Sequence, residues 1–247
     1  MRASEPPPGA VDARTQLQFG EAPTADDRPS WPASAGLWSL LIAVVATAIL
    51  LALIGSFYVA AGYDDPGDAP SFEFVAIAGQ SAAFVLAVLT VASRYGRPRA
   101  RQFGFRGTDG TAVGWALVAL FCYFVIAATY NVLVNPPEDD LPQQLGADKN
   151  TALAIITGIF VIGVAPPIEE FFFRGFLYQT FRNRIGVWGG AVASGLIFGA
   201  IHFKPDFLVP LAMLGMILAL LFERTDSLWP CIAVHALNNA LAFSVLV

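Results

Sequence analysis

The stretch Leu37–Ala61, LWSLLIAVVATAILLALIGSFYVAA, contains no Asp, Glu, Lys or Arg, and it constrains the fold more than any other feature of the chain. Such a run has no polar face to turn toward water. In a bilayer, about 20 predominantly apolar residues make one spanning helix. The pattern recurs at Phe72–Ser93 and Thr111–Val134. Thr151–Val164 begins a fourth span that runs on into Ala165–Tyr178, and Val187–Phe203, Phe207–Phe222 and Leu228–Val247 follow. Only helices and closed barrels satisfy their backbone in lipid, and runs of this length are helical. The expected fold is therefore all-α: a polytopic transmembrane bundle of about seven helices with a cavity-containing intramembrane site. Composition agrees, with 56% hydrophobic and 13% charged residues against about 25% charged in soluble domains.

Residues 1–34 carry EPPPGA and TADDRPSWPAS, rich in proline and mixed charge with no apolar run. They read as a disordered cytosolic tail rather than a cleavable signal. Residues 35–247 form the membrane domain, with 151–247 as its motif-bearing core. Arginines in short loops set orientation. Arg94, Arg97, Arg99, Arg101 and Arg106 lie between the second and third spans, and Arg182 and Arg184 follow the fourth. The connections at 62–71 and 135–150 are acidic. The expectation is a multi-pass protein of the cell (inner) membrane with its N-terminus in the cytosol. No basic patch with interleaved aromatics points to nucleic acid. Cys122 and Cys231 fall in apolar runs and read as buried packing residues, not as a disulfide or a zinc pair.

Charged groups inside a bilayer are costly, face an interior cavity and mark function. Here they concentrate in APPIEEFFFRGFLY, Ala165–Tyr178, and in two histidines, His202 and His235, which are the only two in the chain. Glu170 and Arg174 are four apart and should pair on one helical face, while Glu169, about 100° away, is free to face the cavity. Pro166–Pro167 should break or kink the helix just before the glutamates. The turn after this span centres near Ile185–Gly186. Glu170 and His202 stand equally far from it, so an antiparallel pair of helices presents them at one depth. Phe198 shares a face with His202 and reads as a wall of the pocket, Asn239 shares one with His235, and the Phe171–Phe173 run reads as lipid-facing and core surface.

EEFFFR reads as EExxxR, FGAIH as FxxxH and HALNN as HxxxN. In this order on successive hydrophobic segments, over about Ala165–Ala242, they resemble the CPBP family of intramembrane proteases, the CAAX prenyl protease and bacteriocin-immunity (Abi) group. The resemblance implies an intramembrane endopeptidase of the glutamic type that hydrolyses membrane-associated proteins or peptides. By the same carry-over Glu169 is the general base, His202 holds the water, His235 and Asn239 stabilise the oxyanion, and Glu170 and Arg174 brace the site. The partners implied are a membrane-anchored substrate and the lipid bilayer. No cofactor is required on this reading. Glu169, His202 and His235 would also suit a three-ligand zinc site with an open position. Two rival classes are a membrane transporter with a proton relay and a non-catalytic immunity or scaffold protein. The first expects internal repeats and none is evident; the second expects a lost motif residue, and all are present.

Overall fold

The computed structural model describes residue 29 and residues 31–69, 71–137 and 151–246. The acidic segment at 138–150 and most of the proline-rich tail lie outside these residues. Three long helices come first: α1 (Ala33–Ala60), α2 (Phe72–Ala92) and α3 (Thr111–Val134). A single helical run then extends from Thr151 through α4 (Thr151–Gly158), a π-helical turn (Ile159–Val164), α5 (Ala165–Phe172), a second π turn (Phe173–Tyr178) and α6 (Gln179–Ala200). Helices α7 (Leu208–Thr225) and α8 (Leu228–Leu246) complete the order. The described residues form helices without strands, as expected.

Five helical runs among the described residues are long and apolar enough to cross a bilayer. They mark a multi-pass membrane protein. The expected count of about seven differs partly because Ala154–Ala200 is one run that contains a reversal. Gly186 has φ 76° and ψ 177°, which breaks the helix. A Cβ on Gly190 would stand 2.8 Å from the backbone nitrogen of Arg182. Residues eight apart touch only if the chain folds back between them. The hairpin centre is therefore where the sequence placed it.

Contacts sort the connections into two ends. At the arginine-rich end the loop between α2 and α3 folds down onto the bundle. Arg106 pairs with Asp226, the Leu228 amide donates to Gly104 O at 2.8 Å, and Ser227 Oγ donates to Arg106 O at 2.8 Å. Gln179 Nε2 donates to Gln102 O at 3.1 Å. Asp109 begins α3 by accepting from the Thr111 amide at 3.0 Å and from its hydroxyl at 2.6 Å. That hydroxyl holds the exposed Asp109 carboxyl below the usual carboxylate range. At the opposite end Tyr130 Oη donates to Asp206 O at 2.6 Å, tying α3 to the α6–α7 turn.

Described residues before position 34 pack against the bundle. Trp31 is buried between Phe103 and Phe176, with ring centroids 5.0 and 4.7 Å away, and Asn183 Nδ2 donates to both Pro29 O and Trp31 O at 3.1 Å. An indole in such a setting is too apolar to stay in a solvated tail. Cys231 is buried as expected, but Cys122 lies exposed on the outer surface of α3, where a small apolar side chain can face lipid.

Candidate active site

Helix α5 carries the two glutamates between two π turns. The first turn has a covalent cause. The Ala165 amide donates to Phe160 O, a spacing of five. By that spacing Val161 O would receive the amide of residue 166, but Pro166 has none. Asn239 Nδ2, from α8, donates to Val161 O at 3.0 Å instead. In the second turn Gln179, four residues on in the same run, donates from Nε2 to Gly175 O at 2.5 Å.

Glu170 and Arg174 pair as the sequence indicates, with Arg174 Nη1 donating to Glu170 Oε1 at 2.8 Å. Both side chains are fully buried. The same Oε1 lies 2.8 Å from His235 Nδ1. A carboxylate flanked by a guanidinium accepts, so His235 Nδ1 carries a proton and its Nε2 faces away from Glu170. That Nε2 stands 3.8 Å from Glu169 Oε2. The gap is too long for a direct hydrogen bond. Glu169 Oε2 is buried and has no hydrogen-bond partner among the described residues. The sequence separated the two carboxylates correctly in this respect: one is neutralised and the other is not. It did not indicate that His235 would bond to the neutralised one.

Phe198 sits at the centre of the cluster. Its ring meets Phe173 edge-on at 5.1 Å, His202 at 4.8 Å and His235 at 5.6 Å. The Arg174 guanidinium carbon lies 4.7 Å from its centroid, a cation–π geometry. The Phe173–Phe198 contact joins positions almost equidistant from Gly186, as the hairpin argument requires. His202 Nδ1 is 2.7 Å from Phe198 O. A carbonyl only accepts, so this nitrogen donates, and in the neutral ring Nε2 is left with its lone pair.

Arg174 Nη2 also donates to Gly215 O at 3.0 Å. That carbonyl is within reach because α6 and α7 touch through glycine. A Cβ on Gly195 would lie 2.6 Å from Ala212 O, and one on Gly215 would lie 2.8 Å from the Gly195 Cα. The sequence reading missed Gly215 and Gln179, since a backbone acceptor and an uncharged carboxamide leave no charge signal. The Phe171–Phe173 run is a correction. Phe172 and Phe173 are fully buried; Phe172 stacks on Phe84 at 4.5 Å, and only half-buried Phe171 lies toward the loop, 4.8 Å from Phe103. From Phe172 to Phe181 every residue of this run is buried, so the helix has no lipid-facing side here for a phenylalanine to occupy.

Glu169, Glu170, Arg174, Phe198 and His235 are thus joined by direct contacts, His202 through Phe198, and Asn239 through Val161 beside the glutamate helix. For zinc, no three His, Cys, Asp or Glu side chains among the described residues stand close enough to share an ion. Glu169, His202 and His235 as placed do not fit a three-ligand cage.

Residues 151–241 match the family described as type II CAAX prenyl endopeptidase Rce1-like. The match spans α4 to α8 and every residue of the cluster. At family level it supports a membrane peptidase. The chain is also 28% identical over 128 residues to an Escherichia coli protein named "Uncharacterized 24.3 kDa protein", covering 50% of this chain and 59% of that protein. It is 23% identical over 140 residues to "Putative membrane peptidase YdiL" of Bacillus subtilis (strain 168), covering 55% of this chain and 57% of that one. The chain thus spans somewhat more than half the length of these curated relatives. No solved structure gives a significant match.

Proposed function

We propose that the protein is an intramembrane endopeptidase that hydrolyses a membrane-anchored protein or peptide with a water activated by Glu169. The observation that carries this reading is the buried, unpartnered Glu169 Oε2 standing 3.8 Å from His235 Nε2. On this reading the catalytic water sits between these two atoms. Glu169 takes a proton from that water, and the oxygen adds to the carbonyl carbon of the scissile bond. His202 Nε2, with its lone pair free, is the second acceptor that orients the water. His235 donates from Nε2 to the developing oxyanion when it carries its second proton. Glu170 balances that charge through Nδ1, and Arg174 keeps Glu170 ionised and fixed. Glu169 then passes its proton to the departing amine nitrogen. Asn239 has one amide hydrogen committed to Val161 O, which leaves its other one for an oxyanion.

The orientation belongs to the same proposal. The arginines of the α2–α3 loop and of the hairpin place the N-terminus and the arginine-rich end in the cytosol of a cell membrane. His235 lies seven residues into α8, roughly 10 Å below that end. The substrate is a membrane-associated chain whose scissile bond reaches this depth.

The test compares the termini of membrane proteins, by terminal-peptide mass spectrometry, in cells carrying the wild type or Glu169→Gln. This change keeps shape and removes the base. A set of cleaved termini that disappears at equal protein level is the expected result and names the substrate. Unchanged termini would bring transport or scaffolding forward.

A further inference from the structure

The contacts of α8 point beyond the oxyanion role carried over for Asn239. Pro166 and Pro167 remove two adjacent amides from the helix that bears the glutamates. On the N-terminal side of this break Val161 O loses its backbone donor, and Asn239 supplies one at 3.0 Å. On the C-terminal side Glu170 meets His235 at 2.8 Å. Asn239 and His235 are one helical turn apart on α8. The same rigid helix therefore grips both sides of the break. The 3.8 Å gap between Glu169 Oε2 and His235 Nε2 lies next to the second grip. A hinge at the prolines would change it directly.

We infer that Asn239 is a positioning residue: it replaces the amide that Pro166 lacks and splints the broken helix, so that Glu169 is held at its working distance from His235. The inference rests on the peptidase reading for its consequence but not for its geometry. The splint exists whether or not a peptide is cleaved.

Pro166→Ala restores an amide where the chain lacks one. If Asn239 acts as a splint, that amide stands in for it. The experiment takes the full chain in lipid nanodiscs as wild type, Asn239→Leu, Pro166→Ala and the double variant. Leucine is close to asparagine in size and has no donor, so it leaves little cavity. Two quantities are read: amide hydrogen exchange over residues 159–172 and, in cells, the Glu169-dependent termini. The expected result for Asn239→Leu is exchange faster by about tenfold, as for a carbonyl that loses its partner, together with fewer cleaved termini. The double variant recovers both in part. Two results would overturn the inference. One is lost cleavage with unchanged exchange, which makes Asn239 a direct donor to substrate. The other is faster exchange that Pro166→Ala does not slow. If no terminus depends on Glu169, the peptidase reading fails, and the exchange arm still decides the splint.

Discussion

Glu170 and His235 share a hydrogen bond of 2.8 Å through an oxygen that also accepts from Arg174. Two groups, Arg174 and His235, therefore depend on one carboxylate. Removing its charge leaves the fully buried Arg174 without a counter-ion, a change that costs about 3–5 kcal/mol when one partner of a buried pair is lost. Glu170→Gln should lower stability by that order in a denaturant titration of the detergent-solubilised protein. The double variant Glu170→Gln/Arg174→Met should lose less than the single one, because no uncompensated charge remains. Equal losses in the two would show that the pair is not what holds this region.

The cluster has an apolar centre as well. Phe198 touches Phe173, Arg174, His202 and His235, and is fully buried. Phe198→Ala should cost about 3–5 kcal/mol through the cavity it leaves. Phe198→Leu should cost less and keep part of the activity, because the carbonyl that anchors His202 belongs to the backbone and survives both changes. Thermal unfolding and the Glu169-dependent termini, measured on both variants, check this order.

The helices were legible because a spanning run needs no tertiary information: Thr111–Val134 was read with both ends correct. The Glu170–Arg174 pair was legible for the same local reason, a spacing of four. The hairpin at Gly186 was legible from arginines, an isoleucine and glycines between two apolar runs, and depth followed from it. What escaped was non-local or depended on backbone geometry that sequence angles do not carry. Phe172 and Phe173 belong to a run that neighbouring helices bury on every side, which only the assembled bundle reveals. The α2–α3 loop, read only as a source of positive charge, carries Phe103 and Phe105 onto Phe171. The Asn239 contact needs both the proline and a carbonyl, Val161 O, that lies 78 residues from Asn239 in sequence.

Adjacent residues on α6 should respond in opposite directions. Ser194 Oγ is buried without a hydrogen-bond partner among the described residues, so Ser194→Ala removes an unsatisfied polar group and should be neutral or stabilising by up to about 1–3 kcal/mol. Gly195 stands against the α7 backbone, where an added Cβ would fall 2.6 Å from Ala212 O. Gly195→Ala should therefore push α7 away and lower the unfolding temperature. It should also reduce activity, because Gly215 O moves from Arg174. A pair of thermal scans decides the contrast: two alanines one residue apart with the same sign of effect would contradict the packing.

The arginine-rich end offers a test away from the membrane interior. Glu223 accepts from Arg182 at 2.6 Å through each of its oxygens and from Tyr178 Oη at 3.0 Å, which ties α7 to the arm that leads into the hairpin. Arg106 pairs with Asp226 beside it, and Asp226 sits at φ 51°, a left-handed position that Asn tolerates well. Asp226→Asn thus keeps the turn and removes the charge. The loop should then loosen around Arg97–Arg101, and trypsin should cut there several-fold faster in nanodiscs. Asp226→Ala loses the charge and also strains the turn, so it should cut faster still. Added salt should mimic neither variant in full, since Arg106 is mostly buried and screening acts weakly on such a pair. If cleavage of Asp226→Asn matches the wild type, the loop is held by its backbone bonds to Leu228 and Ser227 rather than by the ion pair.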